Sequence, residues 1–119
     1  MKGRSVKLHR FALKANQLPA NGRAPPCPLC AKLGREPQPA THLHELWVPP
    51  HRGSKYEVEY REVWVILICE HCNLFEANAH KRELMQIQVE RYGREVMEAA
   101  RQEALGMCKV KWAIPTIPD

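Results

Sequence analysis

The apolar positions of this chain change rhythm near residue 73, from extended runs to a helical spacing. Thr41 to Val48 (THLHELWV) predicts a strand, closed by Pro49-Pro50. His51 to Lys55 is polar and reads as a connecting loop. Residues 56–68 predict a second strand, ending in Val63-Trp64-Val65-Ile66-Leu67-Ile68. That run is apolar without alternation, the pattern of a strand covered on both faces. From Asn73 onward, Leu74 and Ala77 fit one helix reaching Lys81. Met85, Val89 and Tyr92 continue at helical spacing from Arg82, and Val96, Ala99 and Ala100 follow after Gly93. Gly93 predicts a break between two helices, and Gly106 an end. Residues 16–26 and 34–40 are loops by their prolines and glycines. Residues 1–15 suit a short strand or a docked arm, and 107–119, with Val110, Trp112 and Ile114, an extended segment. The expected division is a basic N-terminal arm (1–26), a central body (27–106) and a tail (107–119). There is no internal repeat and no low-complexity tract.

A chain of 119 residues suits a single domain, and a core this small gains much from a metal staple. No run approaches the eighteen or so apolar residues of a membrane span. The N-terminus is basic but lacks an apolar signal core, so a cytoplasmic protein is expected. Of five cysteines, four fall into two C-x-x-C pairs. Without an export signal, that spacing favours zinc over disulfides. A C-x-x-C turn sets two thiolates on one metal without strain. Two such knuckles, separated by residues 31–68, predict one structural zinc held by Cys27, Cys30, Cys69 and Cys72. His71 is the alternative ligand within that set. Cys108 is left over and reads as a small apolar side chain. Zinc binding of this kind is worth on the order of ten kcal/mol, enough to decide whether the domain folds. By itself such a site is a scaffold and implies no catalysis.

Charge adds a second hint. The net +5 is uneven, because eight of the eighteen Lys and Arg lie in residues 1–35, which hold no Asp or Glu. A basic arm on a near-neutral body suits contact with a polyanion, or a solvated tail.

Between and after the knuckles lies a histidine constellation. His42 and His44 are two apart on the expected first strand and so share a face. Asn73 follows the last cysteine, and His80 lies seven residues on, two turns along the expected helix. A His strand, a second strand, a knuckle and a helix carrying Asn and His make a ββα unit around a second metal position. In Cys27-x-x-Cys30, Leu43-His44-Glu45-Leu46, Leu67-Ile68-Cys69-x-x-Cys72-Asn73 and His80 the chain resembles the HNH, or ββα-metal, endonuclease superfamily. It is most similar to small phage-encoded HNH proteins, whose terminal helix carries a stretch like Gln88-Val89-Glu90-Arg91-Tyr92-Gly93. The likeness spans roughly residues 27 to 106.

The resemblance implies an α+β fold, a small zinc-stapled ββα-metal domain with C-terminal helices. It implies a hydrolase cutting DNA phosphodiester bonds with a divalent Mg, Mn, Ni or Zn ion, in the host cytoplasm if phage-encoded. A phage or host protein complex is a further partner. Mapped residue by residue, His44 becomes a metal ligand and Glu45 occupies the base position, with Asn73 and His80 as the remaining ligands. The family usually has His as base, so His42 is the alternative, with Thr41 where an acidic ligand usually lies. An Asn common in the second strand is replaced here by Val63, Trp64 or Val65. Phosphate contacts fall to Arg52 and Lys55 in the inter-strand loop, Lys81 and Arg82 beside His80, and Lys2, Arg4, Lys7 and Arg10 in the arm. The competing expectation is a non-catalytic zinc-ribbon protein that binds nucleic acid or a polymerase.

Overall fold

A computed structural model describes residues 24–47, 62–107 and 114–118. The arm candidates Lys2, Arg4, Lys7 and Arg10, the loop candidates Arg52 and Lys55, and Cys108 lie outside the described residues.

The described chain forms a small α+β fold around a two-stranded antiparallel sheet. Strand β1 is His42–Glu45 and β2 is Val65–Ile68, with His42 opposite Ile68 and Glu45 opposite Val65. Thr41 N–H donates to the Ile68 carbonyl at 3.0 Å and Leu46 N–H to the Trp64 carbonyl at 2.7 Å, extending the ladder at both ends. The second strand is shorter than its apolar run. Glu62–Trp64 is a 3-10 turn, which sets Trp64 edge-on against Trp47 with ring centroids 5.7 Å apart. All four β2 residues are buried, as the continuous run predicts.

Ahead of β1, residues 25–27 run antiparallel to 38–40. Cys27 N–H donates to the Gln38 carbonyl and Ala40 N–H to the Pro25 carbonyl, each at 2.8 Å. This small ladder sets the first knuckle beside the sheet. Helix α1 (Pro28–Lys32) follows, with proline suited to its first turn.

The helical half departs from the sequence pattern at its start. Asn73 and His80 are not two turns apart on one helix. Cys72–Glu76 is a π-helical turn, closed by Ala77 N–H to the Cys72 carbonyl at 2.8 Å. The Cys72 N–H points to Cys69 Sγ, so the knuckle draws it off the regular ladder. Chain turns through Ala77–Ala79 follow, and His80, at φ −124° and ψ 38°, caps a new helix, α2 (Lys81–Tyr92). Gly93 breaks α2 from α3 (Arg94–Met107) as expected. Its φ of +92° is open to glycine and costly for other residues. Gly106 falls inside the last turn of α3, one residue short of its end.

The core gathers Leu29, Trp64, Ile66, Ile68, Leu84, Met85, Met97 and Ile114. Along β2 the Trp64 carbonyl faces β1, while those of Val63 and Val65 face away. Gln88 of α2, fully buried, donates its Nε2 amide to both, at 2.7 and 3.2 Å. One side chain thus gives a donor to two buried carbonyls that face away from β1. The segment 114–118 packs on α3: Arg101 Nε donates to the Pro115 carbonyl at 3.1 Å, and Arg94 to that of Pro118.

Candidate metal centre and the adjoining histidines

Each knuckle is a local turn that aims a backbone N–H at its own first sulfur. Cys30 N–H lies 3.5 Å from Cys27 Sγ, and Cys72 N–H 3.4 Å from Cys69 Sγ. The antiparallel pairing of 25–27 with 38–40 positions the first knuckle, and the end of β2 positions the second. All four sulfurs are buried and lie within 4.8 Å of one another. Cys30 Sγ is 3.6 Å from both Cys69 Sγ and Cys72 Sγ. Four sulfurs at a zinc bond length of about 2.3 Å sit about 3.8 Å apart at the corners of a tetrahedron. A disulfide needs about 2.05 Å, and the four cysteines are free. The donor set therefore fits a structural zinc ion.

Electrostatics favour a cation there. Burial pushes the Cys27 thiol up, and burial together with the neighbouring Cys69 and Cys30 side chains pushes Cys72 up. Burial also opposes ionisation of Cys30. The Gln38 backbone and hydrogen bonds from Cys69, Cys72 and Cys27 outweigh it and bring that thiol down. Four thiols crowded together cannot all lose their protons without a positive ion among them. His71, the alternative ligand, lies outside the cluster. It is exposed, 3.7 Å from Glu76 and in ring contact with Phe75 at 5.2 Å.

Next to the cluster the sheet brings together two of the expected site residues. His44 Nδ1 lies 3.2 Å from Asn73 Oδ1, joining β1 to the first residue after the second knuckle. Burial lowers the His44 pKa below its ordinary 6.5. The Lys81 charge acts the same way, against opposing pulls from Asn73 and Glu45. His42 engages Thr41 instead, Nδ1 to Oγ1 at 2.8 Å. Strand alternation sets His42 on the face of His44 and Glu45 on the other.

His80 is not brought to His44's hydrogen-bonding group. Its Nε2 lies 3.2 Å from Glu76 Oε2 and its Nδ1 3.4 Å from Glu83 Oε1. Glu76 also receives Arg35 at 3.1 Å, and mainly that bond holds its carboxyl below the usual range. Among the described residues the four cysteines are the only group of three or more Cys, His, Asp or Glu close enough to share an ion. Sequence reasoning passed over Glu76 and Gln88. The signals were present: Glu76 precedes His80 by four residues, and Gln88 is a polar residue one turn after Leu84 on the buried face.

Compared with known proteins, the chain matches no family model, no curated protein and no solved structure. No described helix is long and apolar enough to cross a membrane.

Proposed function

We propose that this protein is a metal-dependent endonuclease of the HNH type, hydrolysing phosphodiester bonds in DNA on a zinc-stapled hairpin. The observation that carries the reading is the His44–Asn73 pair beside the cysteine cluster. With Asn73 Oδ1 as acceptor, His44 Nδ1 carries the proton and Nε2 keeps its lone pair. A lowered pKa keeps that imidazole neutral at pH 7, the state needed to hold a cation or take a proton. Asn73 is then a positioning residue, fixing the ring and its tautomer. A divalent ion such as Mg, Mn, Ni or Zn, bound beside His44, would neutralise phosphate charge and stabilise the departing oxygen. His42, on the same face of β1, is favoured over Glu45 as the base that takes a proton from water. Lys81, close enough to influence His44, supplies positive charge for the phosphate.

A second reading, a non-catalytic zinc-ribbon protein binding nucleic acid or a polymerase, is favoured by His80. Both of its nitrogens face carboxylates, which leaves it no free donor for a second metal. Incubating the zinc-loaded protein with plasmid and Mg, Mn or Ni ions separates the two. The nuclease predicts nicks that vanish in His44→Ala. Equal nicking by parent and variant, or salt-sensitive binding with no nicking by either, rules it out.

A further inference from the structure

The second knuckle and the His44–Asn73 pair share a stretch of backbone. Asn73 follows Cys72 directly, and its N–H donates to the Cys69 carbonyl at 3.0 Å. Cys72 N–H points to Cys69 Sγ at 3.4 Å, and Ala77 N–H closes the π-helical turn on the Cys72 carbonyl at 2.8 Å. These bonds on either side of Asn73 all end on Cys69 or Cys72, two members of the sulfur cluster. The Asn73 side chain reaches out of the knuckle, its Oδ1 3.2 Å from His44 Nδ1. His44 is held by different means. It lies on β1 opposite Ile66, in a ladder that Thr41 and Leu46 extend at either end. The sheet places the imidazole, and the knuckle places its acceptor.

An acceptor on one ring nitrogen fixes both the tautomer and the orientation of an imidazole. The acceptor here is set by cysteines whose own positions fit a tetrahedral zinc ion. We propose that zinc binding at the four cysteines is coupled to His44 through Asn73, so that the ion locks an imidazole that is not among its ligands. With Cys69 and Cys72 on the ion, Asn73 Oδ1 stays on Nδ1–H and the ring turns Nε2 outward. With the ion removed, the knuckle no longer holds the acceptor in place. Coupling between two sites is reciprocal, so breaking the His44–Asn73 bond must weaken zinc by the same factor that zinc strengthens the bond. One hydrogen bond between neutral groups corresponds to about two- to tenfold in affinity. The coupling stands on these distances alone. If the nuclease reading also holds, the cysteine site gates the chemistry of His44.

The test measures zinc affinity of the full chain by competition with a chromophoric chelator. His44→Ala and Asn73→Ala should each weaken zinc about two- to tenfold, and the double variant should lose no more than either single one. His44→Asn, whose side-chain amide can present a donor where Nδ1 lies, should bind zinc nearly as the parent does. Glu98→Gln, which removes an exposed ion pair with Arg94 on α3, should leave the affinity unchanged. Unchanged affinity in either alanine variant overturns the coupling. A double variant that loses the product of the two single effects overturns it as well, because the residues then act independently. The ring itself gives a second measurement. In ¹⁵N-histidine spectra of the zinc-loaded parent, with the ring neutral, His44 should carry its proton on Nδ1, and Asn73→Ala should populate the Nε2–H form. An Nε2–H ring in the parent overturns the proposal whatever the affinities. A coupled pair in a chain that nicks no plasmid keeps the coupling and removes the nuclease. Independent losses beside nicking abolished in His44→Ala do the reverse.

Discussion

Replacing Cys72 by serine tests the metal centre on which the fold turns. Cys72 Sγ sits 3.6 Å from Cys30 Sγ, at one corner of the sulfur cluster. A serine hydroxyl stays protonated at neutral pH and is a poor zinc ligand. Structural zinc sites in small domains are worth about 10–16 kcal/mol at pH 7, so one sulfur of four carries roughly 2.5–4 kcal/mol. Against a total stability of about 5–15 kcal/mol for a domain, that is a large fraction. The loss is felt widely, because the cluster ties α1, the end of β2 and the π-helical turn together. Zinc per chain is measured by release to a chromophoric chelator, and stability by thermal unfolding. The parent should hold one zinc, Cys72→Ser should hold less than one, and Tm should fall by roughly 10 °C or more. A chelator acting on the parent should reproduce that fall, and added zinc should reverse it. Full zinc content in Cys72→Ser with an unchanged Tm would refute the assignment of this thiol as a ligand.

Gln88→Leu should destabilise the protein by about 1–3 kcal/mol, since the buried Val63 carbonyl loses its 2.7 Å donor. Denaturant unfolding measures this, and a change below about 0.5 kcal/mol, the size of a surface substitution, contradicts it. The His44 imidazole should titrate by NMR with a midpoint below 6.5, burial being the main cause, and Lys81→Gln should raise that midpoint. The sign follows from a folded pKa lower than the unfolded one. Below pH 6.5 the unfolded chain takes a proton that the folded one refuses, so His44's contribution to stability is present above 6.5 and lost as pH falls toward its folded pKa. A midpoint at or above 6.5 would contradict this account.

Much of the local structure was legible in the sequence because its causes are local. A C-x-x-C turn sets its two sulfurs by short-range geometry, so spacing alone named Cys27, Cys30, Cys69 and Cys72, which the fold gathers within 4.8 Å. Val65 to Ile68 declared a fully buried strand by lacking polar alternation, and Gly93 marked a helix break that its positive φ explains. Periodicity failed between Asn73 and His80. It cannot register a backbone N–H diverted to a sulfur, and that diversion accompanies the π-helical turn that takes His80 off Asn73's helix face.

Which side chains became partners was decided by tertiary structure. His44 meets Asn73 because strand register and the second knuckle bring positions 29 residues apart to one edge. His80 turns instead to Glu76 and Glu83, and Gln88 to the Val63 and Val65 carbonyls. Sequence period fixes which face of an element a residue occupies. What that face meets depends on contacts across long stretches of chain, and no local pattern encodes them.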